Sequence, residues 1–301
     1  MSLVVSNIDL RLNVWDNTHL IQSFIFLLSL LIFIGCSKDG DKVQSTNLII
    51  NFTHTVAGED LVMYPFGCLD GGECIAGHAC CMGGLNYTNA AGEQYNIETL
   101  KYLISNITLH SDEGNSTLLK EVHYVDAKDG STLQFNAGEL DNGTYTKISI
   151  IMGLNASMNQ QDAYDKWVDV NDPQYFNEEM WWPPQENNLM SAYHYMRLEG
   201  VFDTIGNGYR THTGPTVMMG GSMGMDMSFE KEFLITLNVD DNLGDVNIHI
   251  KMELNNWYQN PNEISFASYG PAGNNGIMEN MMMQHKLQAN GEADVFSHTL
   301  K

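Results

Sequence analysis

Residues 48–54 read Leu-Ile-Ile-Asn-Phe-Thr-His, with Leu48, Ile50, Phe52 and His54 at alternate positions. Successive side chains of a strand point to opposite faces, so this spacing predicts a strand that buries one face. Residues 102–109 (YLISNITL) continue the theme, and further strands are expected over 118–125, 132–135, 144–152, 193–202, 232–239 and 246–254. Turn signals such as Asp112-Glu113-Gly114, Asp129-Gly130 and Asp141-Asn142-Gly143 separate them. Short strands joined by tight turns predict an all-β chain, an antiparallel β-sandwich with long irregular loops over 68–86, 203–228 and 255–278. Helices are expected to be minor, around 173–181 and 277–287.

Upstream of these strands, residues 24–34 (FIFLLSLLIFI) form an apolar run too short to span a bilayer and suited to a signal-peptide core. The run ends in Phe33-Ile34-Gly35-Cys36, which resembles a lipobox, and Cys36 is the expected site of lipidation. Residues 1–35 are therefore read as a leader of uncertain start, 36–46 as a lipidated tether and 47–301 as a single β domain. The stretch Ser37-Lys38-Asp39-Gly40-Asp41 is similar to tags that send lipoproteins to the cell surface. An outer-membrane lipoprotein exposed at the surface, or otherwise on the periplasmic face, is expected.

The formal net charge is −23, from 14 basic and 37 acidic residues. Such a field repels nucleic acid and anionic lipid and concentrates cations, so no nucleic-acid partner is expected.

Five of the ten residues from Met218 to Met227 are methionine: Met218, Met219, Met223, Met225 and Met227. Interleaved with glycine and acid, they read as a loop whose thioethers face outward, and thioether beside imidazole suits copper, above all Cu(I). His212 precedes the run and His194 lies in an alternating Tyr-His-Tyr segment. His54, on the apolar face of the first strand, reads either as a hydrogen-bonded core residue or as a ligand. Met278, Met281, Met282 and Met283 with His285 form a second methionine group, and helical spacing makes Met278, Met281 and Met282 either a core stripe or ligands. Trp181 and Trp182 precede a double proline and read as a pocket wall or a contact surface.

Cys68, Cys74, Cys80 and Cys81 lie within fourteen residues, with His78 among them. Outside the cytoplasm they are expected to form two disulfides, Cys68 and Cys74 pairing with Cys80 and Cys81 in either order, with a thiolate metal site as the alternative. No phosphate loop, H-E-x-x-H or G-x-S-x-G motif is present, and no enzyme is expected.

Several segments together resemble the MbnP-like family of bacterial copper-binding proteins, known from methanobactin operons and also found as lipoproteins. They are 51–61 (NFTHTVAGEDL), 87–105 (YTNAAGEQYNIETLKYLIS), 124–126 (YVD), 192–200 (AYHYMRLEG), 211–214 (THTG), 255–261 (NNWYQNP) and 294–296 (DVF). The resemblance implies copper bound through His54 and His212, with Trp182 of the Met180-Trp181-Trp182 segment oxidised to kynurenine by a partner di-haem peroxidase. An outer-membrane transporter complex is the other partner it suggests. Residues 183–190 are inserted after the tryptophan pair where relatives carry a glycine-tyrosine step, and Ala192 replaces that glycine. The methionine run then reads as a mobile soft-ligand loop beside His212. An adhesion or complex-assembly subunit without obligatory metal is the alternative.

Overall fold

Our computed structural model describes residues 46–63, 85–154, 158–159, 180–182, 192–202, 207–215, 226–240, 243–269, 277 and 280–301. The leader, Cys36, the four-cysteine loop with His78, Met218, Met219, Met223, Met225, Met278, the helix expected over 173–181 except its last two residues, and the 183–190 insertion lie outside them.

The smaller sheet contains β1 (Thr46–Val56), β2 (Glu59–Asp60), β7 (Gln134–Leu140), β14 (Val246–Glu253) and β15 (Phe296–Leu300). β1 keeps the face read from its sequence, with Leu48, Ile50 and Phe52 buried. It runs parallel to β14 in the register Leu48↔Val246 to Thr55↔Glu253, so Val246, Ile248, Ile250 and Met252 join the same buried face. Each such side chain removed from water contributes about 2 kcal/mol. The other ladders among the described residues are antiparallel.

The larger sheet contains β3 (Tyr87–Thr88), β4 (Gln94–Tyr95), β5 (Thr99–Ser111), β6 (Ser116–Asp126), β8 (Gly143–Met152), β11 (Met196–Phe202), β12 (Asn207–Thr213) and β13 (Phe229–Val239). β5 is its axis. One flank pairs with β6 throughout, while the other is shared: Thr99–Tyr102 pair with β11 and Ile104–Ser111 with β8. At the fork, Leu103 N–H donates to Tyr195 O and Leu103 O accepts from Gly153 N–H. Leu100, Tyr102 and Ile104 face the smaller sheet and fill the main core.

The opposite face of β5 is also covered. Leu103 packs there with Val122, Leu154, Met158, Met180, Tyr193, Tyr195 and Met227 in a second apolar cluster. A short ladder of β9 (Trp181–Trp182) and β10 (Ala192–Tyr193) belongs to this layer.

Three expectations need correction. The stretch 203–228 is not wholly irregular, because it contains β12. Met227 is not outward-facing: it is buried in the second cluster. The helix expected over 277–287 is found as α1 (Met281–Asn290), but Met281 and Met282 form no core stripe; Met283 and Leu287 take the buried positions.

Candidate metal centre

β11 and β12 pair in the register Arg197↔His212 and Glu199↔Arg210, which sets Arg197, Glu199 and His212 on one face. Arg197 also pairs with Lys101 of β5, whereas Met196 pairs with Tyr102 and faces the main core. His212 therefore lies on the outer face of the larger sheet. His194 reaches it from the link between β10 and β11, and the two imidazoles meet edge to face with centroids 4.9 Å apart at 77°.

Each ring is fixed by an acceptor. His212 Nε2–H donates to Glu199 Oε1 at 2.6 Å, and the same oxygen accepts Arg197 Nε at 3.0 Å and Nη2 at 2.8 Å. Burial would raise the Glu199 carboxyl, but bonds and charge from His212 and Arg197 outweigh it and hold the pKa at about 2. An ionised carboxylate only accepts, so the proton of His212 sits on Nε2 and its lone pair on Nδ1. His194 Nδ1–H donates to Met180 O at 3.1 Å, an oxygen that also receives the His194 backbone N–H at 2.7 Å. A carbonyl likewise only accepts, which leaves the His194 lone pair on Nε2.

Both rings are held neutral. Burial first, then the neighbouring His212, lowers the His194 pKa to about 3. Burial also lowers His212 against the opposing pull of Glu199. Two neutral imidazoles, each oriented through its second nitrogen by a carboxylate or carbonyl, have the arrangement of metal-ligating histidines.

The surroundings are built to hold this geometry. Buried Asn159 clamps the Tyr193 peptide from both sides, accepting its N–H at 2.9 Å and donating to its carbonyl at 3.1 Å. Tyr195 N–H donates to Thr213 O, and its hydroxyl donates to Asp226 at 2.8 Å. From α1, Gln284 Nε2 donates to His212 O at 2.7 Å.

The structure brings His194 to His212 and does not bring His54 to either. His54 projects from the smaller sheet, and its Nε2 meets the Tyr102 hydroxyl at 2.9 Å on the inner face of the larger sheet. Tyr102 and His212 lie on opposite faces, so the expected pairing of His54 with His212 at one centre gives way to the core reading of His54. Trp181 packs edge to face on Tyr193, with centroids 4.7 Å apart. The backbone of Trp182 pairs with Ala192, two residues before His194. Among the described residues no group of three or more His, Cys, Asp or Glu side chains gathers as a metal shell. The imidazole pair is the donor set they offer on this face.

Glu199, Arg197 and Gln284 were not among the residues singled out from sequence. A signal for the first two was present: opposite charges two apart on an otherwise apolar strand share a face and must find partners there.

Fold and site define an all-β sandwich protein with a paired-histidine centre on the outer face of its larger sheet. The chain belongs to the MbnP family, whose model matches residues 45–282. In fold it is similar to MbnP from Methylosinus trichosporium, with a TM-score of 0.51 and 10% identity over 85% of this chain and 99% of that one. No curated protein matches it significantly in sequence.

Proposed function

We propose that this protein binds copper through His194 and His212 and handles it as cargo, for acquisition, storage or delivery. The observation that carries this reading is the matched state of the two imidazoles. Both are neutral, both are oriented through their second nitrogens, and they stand ring to ring. Neutral imidazole suits Cu(I) and Cu(II), and the thioethers of Met218, Met219, Met223 and Met225 supply soft ligands for Cu(I). Family membership supports copper over zinc.

The same reading places the protein outside the cytoplasm, anchored by a lipid on Cys36 at the outer membrane. It keeps oxidation of Trp182 by a di-haem peroxidase partner as a modification next to the His194 segment. The protein acts as a binder, with no catalytic turnover of its own.

Competition titration with a chromophoric Cu(I) chelator tests it. His194→Gln and His212→Gln are each expected to abolish the tight site, while His54→Gln leaves copper affinity intact. Unchanged affinity in the two outer-face variants contradicts the assignment.

A further inference from the structure

α1 opens with Met281, Met282 and Met283, and only the third is buried. Met281 is 43% exposed and Met282 63%, although the other large apolar side chains of this helix, Met283 and Leu287, are packed inside. His285 follows Met281 by four residues and Met282 by three, the two spacings at which helical side chains are neighbours. Side chains on a helix lean towards its N-terminus, so the His285 imidazole leans towards the turn that carries both thioethers.

These three residues line an open concavity of about 610 Å³, together with Asn262, Lys286 and Ala289. Among the described residues no hydrogen bond or ion pair engages the His285 ring. Among the described residues no carboxylate lines the concavity, which disfavours Ca²⁺ or Mg²⁺, and the charge of Lys286 penalises a divalent ion twice as much as a monovalent one. Two thioethers and an imidazole are a soft donor set.

We propose that Met281, Met282 and His285 form a second, surface-exposed site for a soft monovalent cation of the Cu(I) class. It is separate from the His194–His212 centre and does not depend on it. The two are nevertheless linked within the fold. Gln284, next to His285 in the helix, donates to the main-chain oxygen of His212.

The test uses the full chain with ¹³C-methyl methionine and Ag(I) as a redox-inert probe. Met281 and Met282 signals are assigned with Met281→Leu and Met282→Leu. Both variants keep an apolar side chain of similar volume at an exposed helical position and are expected to fold normally. In wild type the two methyl signals are expected to shift together with one Ag(I) dependence, and His285→Gln to weaken that dependence roughly tenfold or more. The shifts are also expected to persist in a His194→Gln, His212→Gln chain, so failure of the outer-face centre is read separately. Methyl signals that stay in place while the rest of the protein saturates overturn the proposal, as do shifts whose Ag(I) dependence is the same in His285→Gln.

Discussion

His194 and His212 stand edge to face with ring centroids 4.9 Å apart, brought together from the link before β11 and from β12. The contact exists because the larger sheet forks at Leu103 in the middle of β5, where one edge of the strand bonds through its N–H to Tyr195 and through its carbonyl to Gly153. His194 is anchored by its neighbour Tyr195 at this fork, and His212 by the β11–β12 register.

Glu199 orients His212 and balances Arg197, so Glu199→Gln should affect both binding and stability. Removing the carboxylate charge weakens the two charge-assisted bonds that Glu199 Oε1 accepts from Arg197 in a largely buried setting, a loss of about 2 kcal/mol. Copper affinity is expected to fall by roughly 10- to 100-fold, as for other residues that position a ligand. Chelator competition and chemical denaturation measure the two effects on one preparation.

Gly153 has φ +97°, and a Cβ there would sit 2.5 Å from the Tyr195 ring. Gly153→Ala is therefore expected to cost about 2–4 kcal/mol and to weaken copper binding by displacing Tyr195 and, with it, His194. Gly92 also has a positive φ, +81°, but nothing lies within 4 Å of its would-be Cβ. Gly92→Ala should lower stability by about 1 kcal/mol and leave copper affinity unchanged. Equal effects on binding would detach the fork from the site.

Acid should weaken the fold before most carboxylates titrate. Burial lowers the pKa of His54 to about 4, and burial followed by Lys120 does the same for His123. An unfolded histidine titrates near 6.5, so between these values the unfolded chain holds protons that the folded chain excludes. Stability is then full above about pH 6.5 and declines as pH falls towards 4. His123 Nε2 bonds to Thr132 O at 2.8 Å, a contact that glutamine can replace with a non-titrating donor. His123→Gln should flatten the pH dependence of the denaturation midpoint across this window, and an unchanged slope would show that His123 is not a source of it.

Much of the sandwich was legible because its strands alternate. Six of the eight strands expected from sequence occur where they were read, with β1 burying the face of Leu48, Ile50 and Phe52; the one expected over 132–135 starts at Gln134 and runs on to Leu140 after a 3-10 turn, and the one expected over 193–202 breaks at residues 194–195 between β10 and β11. β12 escaped notice because three of its four inward residues are Asn207, Thr211 and Thr213, with Thr211 bonded to the Tyr258 hydroxyl at 3.0 Å, so the apolar signal falls on Tyr209 alone. β15 has a single buried apolar residue, Phe296. The candidate centre was legible only in its parts. His194 and His212 stood out singly, but their meeting depends on the register of β11 against β12 and on which face of β5 each strand presents, and local spacing encodes neither. For His54 the alternation with Leu48, Ile50 and Phe52 offered the core reading beside the ligand one, and the structure takes the core reading, with Tyr102 as its partner.

Copper K-edge X-ray absorption on the Cu(I)-loaded chain addresses the His194–His212 assignment most directly, because imidazole rings give a countable scattering signature. With His285→Gln as the common background, so that the helix site adds no imidazole, the expected spectrum contains two imidazoles, loses imidazole scattering in His194→Gln and in His212→Gln, and is unchanged in His54→Gln. An imidazole lost in His54→Gln, or two retained in either outer-face variant, would contradict it.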